Sequence, residues 1–177
     1  MLKNAAIAFP HLFSLSDFSG KFEAGLIYGE DHPQVEQMQA AYQAALDKGV
    51  EKHGWDAKTI KKFTGPIFEG NEEKDTDKYP EFKDCFYVTA KSSPDRKVPV
   101  FDGARNVIED KFEVQAGNIV SAKITFYPYQ TKEGAKGIAV GLEGIQKTGK
   151  GTPIGGGMAS ADEFDVLEDQ EEFDFEG

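Results

Sequence analysis

Residues 4 to 15 and 21 to 28 are dominated by apolar side chains, and the turn-rich stretch SDFSG separates them, which predicts two strands. The period then changes. Val35, Met38, Tyr42, Ala45, Leu46 and Gly49 recur at steps of three and four, with Asp31 placed to cap and Pro33 suited to a first turn, so a helix is expected over about residues 32 to 53. Beyond it, GWDAKTIKKFTGPIFEG is irregular and the charged stretch from Gly70 to Pro80 reads as a loop. The remainder is β in character. FKDCFYVTAK (82 to 91), KVPVFDG (97 to 103), NIVSAKITFYPY (118 to 129) and GIAVGLEGIQK (137 to 147) are separated by turn signals, with residues 107 to 114 a short connector or strand.

Several short strands and one substantial helix predict a mainly β fold: a small OB-fold-like barrel with one inserted α-helix. The expected organisation is a barrel domain over 1 to 150, a glycine-rich hinge over 151 to 161 and an acidic tail over 162 to 177.

The tail changes the reading of charge. The chain has 20 basic and 31 acidic side chains, for a net charge of −11. DEFDVLEDQEEFDFEG holds nine of the acids and no base, which leaves the body at 22 against 20, or −2. The body can therefore carry a basic face although the whole chain is acidic. Like charges at this density repel and cannot offset the entropy of ordering, so the tail is expected to be disordered when free. A pure solubilising tail needs no phenylalanines. Phe164, Phe173 and Phe175, with Glu172 and Asp174 beside the last two, are instead candidates for partner binding.

Alternation identifies a candidate surface. In residues 118 to 129 it puts Val120, Ala122, Ile124 and Phe126 on one face and Ser121, Lys123, Thr125 and Tyr127 on the other. In residues 82 to 91 it separates Phe82, Phe86, Val88 and Ala90 from Lys83, Cys85, Tyr87, Thr89 and Lys91. Lysines beside exposed rings suit single-stranded nucleic acid, because cations neutralise phosphates and rings stack on bases of any sequence. Lys58, Lys61 and Lys62, near Trp55, add to the same surface.

Other chemistries find less support. GIQKTGKG approaches a phosphate-binding loop, but Gly151 stands where Ser or Thr belongs and the following Thr-Pro-Ile-Gly-Gly-Gly cannot open a helix. Glu69, Glu72, Glu73, Asp75 and Asp77 lack the spacing of a calcium loop. The three histidines have neither metal-ligand nor triad spacing. No catalytic constellation, metal or cofactor is therefore expected. A single cysteine, Cys85, fits a reducing cytoplasm and reads as a buried, inert thiol. Pro10 and His11 interrupt the apolar N-terminal run, which argues against a signal peptide, and no stretch approaches the about 18 apolar residues of a membrane span.

In their order along the chain, AKITFYPY, GIAVGLEGIQ, a glycine run and an acidic phenylalanine-containing tail resemble the single-stranded DNA-binding proteins of tailed bacteriophages, of the podophage type. The acid-proline start of the helix (Glu30, Asp31, Pro33) and the basic stretch before GPIFEGN agree with this. The resemblance covers most of the chain. It implies an OB-fold that stacks bases on Tyr87 or Phe86 and on Tyr129, which follows Pro128, and a role in phage DNA replication, recombination and repair in the cytoplasm of the infected bacterium. It further implies that the tail competes with DNA and recruits the phage DNA polymerase and helicase-primase, and it is compatible with a homodimer. The chain departs from the family pattern at Asp84 and Phe86, and in ending Phe175-Glu176-Gly177 rather than on an aromatic residue. A different class of function, an acidic interaction module or DNA mimic that binds a nucleic-acid enzyme and no DNA, is the competing expectation. A metal-dependent enzyme using the loop acids is a third.

Overall fold

The computed structural model describes residues 1–155. The hinge beyond Gly155 and the acidic tail, with Phe164, Glu172, Phe173, Asp174 and Phe175, lie outside the described residues.

The elements in chain order are β1 (Leu2–His11), β2 (Phe22–Gly29), α1 (Val35–His53), α2 (Ala57–Ile60), β3 (Phe68–Glu69), α3 (Gly70–Glu73), β4 (Cys85–Ser92), β5 (Val100–Phe101), β6 (Ile119–Gln130) and β7 (Lys136–Gly149). Short 3-10 turns cover Pro80–Phe82 and Lys111–Glu113. β1 pairs antiparallel with β2 and β6, β2 with β4, and β6 with β7. A parallel contact of β4 with β7, Lys91 opposite Gly141, closes these five strands into a barrel. The expectation of a mainly β, OB-fold-like barrel with an inserted helix is met.

Closure needs sharply bent strands, and β1 bends at two bulges. Its register with β6 shifts between Leu2 and Ala5 and its register with β2 shifts between Ala8 and His11. Asn4 (φ 54°) and Phe9 (φ 46°) take left-handed conformations within those two intervals. A bulge inserts one residue and increases local twist, which lets β1 serve two neighbours on a curved surface. The interior is filled by the inward rows of all five strands, including Ile7, Leu26, Val88, Val120, Val140 and Leu142.

α1 packs on the barrel through Met38, Ala45, Leu46 and Gly49, four of the six residues of the expected stripe. It starts three residues later than expected. Gln34, not Asp31, occupies the cap position. The Gln34 side chain accepts from the Lys3 backbone N–H (2.7 Å) and donates to the Met1 carbonyl (2.8 Å), while His32 bonds the Lys3 carbonyl (2.9 Å). The residues before the helix are thus spent on tying it to β1.

The strand expected from Phe82 starts at Cys85. Asp84 takes φ 53°, which breaks the alternation, and Phe82 turns to the opposite side from Phe86. A second, smaller apolar cluster on the outside of β1, β2 and β4 results, with Ala8, Ile27 and Phe82 at its centre and Ala6, Tyr79, Cys85, Tyr87 and Ile154 around it. Ile154 reaches it because residues 150–154 are held to the barrel. Asn118 Nδ2 donates to the Lys150 carbonyl (2.7 Å) and the Ile154 N–H to the Ala116 carbonyl (3.2 Å). The first residues of the expected hinge are therefore part of the folded body.

Trp55 corrects an expectation. The sequence suggests that it belongs to the nucleic-acid surface, but it is only 4% exposed, stacked with His53 and edge-on to Phe63. Its Nε1–H donates to Gln130 Oε1 (3.0 Å) at the end of β6. Burying this large ring is favourable once its one polar atom is satisfied, so an irregular segment that looks like surface is drawn inward. A methyl group at Gly49 would collide with the indole. Gly49→Ala should therefore destabilise the fold by about 1–3 kcal/mol through overpacking. At an unobstructed site in a helix interior the same change stabilises by about 1 kcal/mol. Urea unfolding gives the sign.

Candidate nucleic-acid interface

The parallel contact that closes the barrel sets β7 between β4 and β6. The outward row of β4 (Tyr87, Thr89, Lys91) and that of β6 (Ser121, Lys123, Thr125, Tyr127, Tyr129) therefore flank the outward residues of β7. Both rows point as alternation predicts. On β7, residues between the buried Ile138, Val140 and Leu142 face outward, and at positions 137, 139 and 141 these are Gly, Ala and Gly. Small residues give this part of the sheet a nearly smooth floor.

An open groove of about 550 Å³ lies there, lined by Thr89 and Lys91 from β4, Tyr127 and Tyr129 from β6, and residues 138–140 of β7. Thr64, Gly65, Pro66 and Phe68 form a further wall, and Lys21 of the β1–β2 loop and Thr131 of the β6–β7 hairpin stand at its rim. Tyr127 and Tyr129 remain 45% and 38% exposed. Their rings lie against the bare backbone of Gly141 and Gly137, where a Cβ would come within 3.4 Å of a ring carbon in each case. Each glycine thus leaves room for a tyrosine to lie over the sheet with its other side free. In OB-folds the second and third barrel strands and the loops joining the first to the second and the fourth to the fifth form the oligonucleotide face. The groove meets both of those loops, at Lys21 and Thr131, and the third strand, β4, but its other strands are the fourth and fifth, β6 and β7.

The expected cations divide into several groups. Lys91 pairs with Glu23 (3.4 Å) and Lys123 with Glu143 (3.1 Å), so both are held by carboxylates. Lys58, Lys61 and Lys62 are exposed on α2 and just after it, and Lys62 precedes the groove-lining Thr64 by two residues. Lys83 is exposed but stands outside β4, capping the 3-10 turn at Pro80–Phe82. Sequence reasoning missed Lys21, and also Lys48 and Lys52 of α1, which line a shallow depression with Glu51, Tyr127 and Pro128. The i,i+4 spacing of Lys48 and Lys52 on the helix was the available signal. It missed Phe18 too, wholly exposed in the β1–β2 loop. That loop is braced by Ser16 N–H to Lys21 O (2.9 Å), Gly20 N–H to Ser16 O (2.8 Å) and Ser19 Oγ to Glu23 (2.8 Å).

Phe86 and Tyr87 take different places. Phe86 packs on the main core, 6.0 Å from Tyr28. Tyr87 faces out, stacked on Phe68 at 5.2 Å and edge-on to Phe82 at 5.0 Å, with the Lys74 ammonium 5.4 Å from its ring. Its partner Phe68 lines the groove, so Tyr87 buttresses a groove wall.

Glu143 has a special position. On β7, Gly144 lies opposite Lys123 and Leu142 opposite Ile124, so Glu143 is the extra residue of a bulge. The bulge aims it outward, where Oε1 accepts from the Thr125 hydroxyl and Oε2 meets Lys123. The Thr125 hydrogen bond first, and then the Lys123 hydrogen bond and charge, hold its carboxyl below the usual glutamate value. Burial and the neighbouring Asp84 push the Cys85 thiol up, away from the thiolate. The near-match to a phosphate-binding loop falls within and just past β7, and among the described residues no helix follows it. Among the described residues no three His, Cys, Asp or Glu side chains gather as metal ligands, and no helix is long and apolar enough to cross a membrane.

The family model described as "Enterobacter phage Enc34, ssDNA-binding protein" matches residues 1–175. Protein p50 of Acyrthosiphon pisum secondary endosymbiont phage 1 is 27% identical over 97% of this chain and 95% of its own. Among solved structures, the single-stranded DNA-binding protein from bacteriophage Enc34 in complex with ssDNA is similar with a TM-score of 0.67 at 22% identity, covering 86% of this chain and 87% of that one. The single-stranded DNA-binding protein gp2.5 of bacteriophage T7 is similar with a TM-score of 0.54 at 16% identity, over 95% and 93%.

The Glu143 cluster yields a pH prediction. A carboxyl held below its unfolded value, about 4.3, stabilises the fold above that pH, and the contribution disappears as pH falls through the folded value. Thr125→Val and Lys123→Ala should each raise the Glu143 pKa, and each should flatten the acid limb of the stability curve. Carboxyl titration by NMR reads the first effect and urea midpoints from pH 3 to 6 the second.

Proposed function

We propose, from the premise that the chain belongs to the family of the Enterobacter phage Enc34 ssDNA-binding protein, that it binds single-stranded DNA without sequence preference in the groove between the β1–β2 loop and the β6–β7 hairpin. The observation that carries this reading is a pair of half-exposed tyrosines that lie over Gly137 and Gly141 and line an open groove with Ala139. A ring lying on the sheet with one face open accepts any base, whereas a duplex keeps its bases stacked on one another. Lys21 and Lys91 at the groove, with Lys48 and Lys52 beside Tyr127, supply phosphate contacts. Exposed ion pairs are worth about 0–1 kcal/mol, so a phosphate can take over Lys123, the more exposed of the two paired lysines, from its carboxylate at little cost. No catalytic role is assigned, and the work served is phage DNA replication, recombination and repair.

The tail over 162–177 acts on this groove as a tethered competitor. Residues 150–154 are fixed beside the Tyr87 cluster, and Tyr87 abuts the groove-lining Phe68. The tail begins seven residues after Gly155, on a body whose radius of gyration is about 15 Å. A polyanion so tethered is present at high effective concentration and competes with DNA. DNA binding then releases it, with Phe164, Phe173 and Phe175, to basic surfaces on the phage DNA polymerase and helicase-primase.

Fluorescence anisotropy with labelled oligo-dT and an equal-length duplex, over a salt series, tests both parts. Binding should prefer the single strand, weaken with salt and tighten when the chain is cut after residue 161. Tyr129→Ala and Tyr127→Ala should each cost about 1–3 kcal/mol, and Glu143→Gln should tighten binding severalfold by freeing Lys123. No binding by either the full or the shortened chain would favour the acidic interaction module.

A further inference from the structure

We infer that the DNA path continues past Glu143 into a second nucleotide-binding pocket on the same face, in which Phe101 receives a base and Arg105 its phosphate. This rests on the proposed function and adds a separate site to it. A pocket of about 430 Å³ lies beyond the bulge, lined by Pro99, Phe101, Arg105, Lys123, Gly144 and Gln146 among others. It is continuous with the tyrosine groove along the outward row of β6. Lys123 borders the pocket and Tyr127 the groove, and four residues of strand separate them by about 14 Å. Thr125 stands between, and Glu143 forms the near edge of the pocket.

The pocket is largely apolar, with Arg105 and Lys123 in its lining beside one carboxylate, Glu143, which is paired with Lys123; an apolar hollow with a guanidinium at hand suits a base and its phosphate. The chain has only two arginines, Arg96 and Arg105. Arg105 lines the pocket, and Arg96 is near enough for its charge to act on Glu143. A guanidinium offers a planar fork of donors that matches phosphate. The loop carrying Arg105 is rigid. Asp102 accepts from the Asn106 N–H and Nδ2 (both 2.8 Å), and Gln146 Nε2 donates to the Asp102 carbonyl (3.1 Å). Arg105 itself is held at φ 70°, a conformation seldom adopted by residues other than glycine. The pairing of β5 with β7 sets Phe101 beside Gln146. Gly144 leaves one side of the pocket bare. A Cβ there would meet Pro99 at an ordinary 3.6 Å, so a larger side chain fills the space without a clash at its base.

A short oligonucleotide is held by the tyrosine groove alone, whereas a longer one reaches both sites. With the full chain, affinities for oligo-dT of about 6 and about 16 nucleotides, inside the range of OB-fold site sizes, separate the two. Arg105→Ala and Gly144→Leu should match wild type on the short strand and lose about tenfold on the long one, and Arg105→Ala should lower the salt slope by about 1 for the long strand only. Tyr129→Ala should weaken both lengths. Long-strand affinity unchanged in Arg105→Ala, an exposed position whose replacement leaves the core intact, would overturn the second pocket while leaving the groove standing. Wild type binding neither length would overturn the DNA-binding reading and the extension with it.

Discussion

The parallel contact of Lys91 with Gly141 is the constraint on which the rest of the structure depends. Without it, β4 and β6 would lie far apart in an open sheet, since the antiparallel order runs β4, β2, β1, β6, β7. With it, the smooth row of β7 is enclosed between a strand bearing lysine and a strand bearing tyrosine, and the groove exists. Gly141 serves twice. It is the point of closure, and its missing side chain is the space over which Tyr127 lies. The same contact places Lys91 at the groove, while the β2–β4 pairing, which sets Lys91 opposite Glu23, supplies its carboxylate partner.

Bulges distribute curvature and chemistry together. Two in β1 let it turn around the barrel, and one of the two in β7 projects Glu143 onto the outer face. An inserted residue cannot join the ladder, so its side chain is free to be aimed. In β7 that side chain is a carboxylate on an otherwise cationic and aromatic surface, and it marks the boundary between two concavities.

Much of this was legible in the sequence, for reasons that differ between elements. The faces of β4 and β6 could be read because a period of two with one buried side tolerates no slip. The α1 stripe was readable at Met38, Ala45, Leu46 and Gly49 by the same logic at another period. The start of β4 was not readable, because the left-handed Asp84 resets alternation and nothing in its neighbours announces this. Nor was Trp55, since a lysine-rich irregular segment gives no phase from which to infer which side chain turns inward. The closing contact is long-range and parallel, and such pairing leaves no local pattern. The floor of β7 did leave one, Gly137, Ala139 and Gly141 alternating with large apolar residues, but its meaning depends on knowing which strands stand on either side.

The buried indole has a consequence for how this molecule can be observed. Trp55 is the chain's one tryptophan, and its hydrogen bond to Gln130 ties it to the root of the β6–β7 hairpin at the rim of the groove. Its emission therefore comes from a single place, the joint between helix and hairpin, shielded from any base stacked on the tyrosines. A change in that emission on adding DNA would record the hairpin shifting against the helix, with the tryptophan serving as an internal strain gauge rather than a contact sensor.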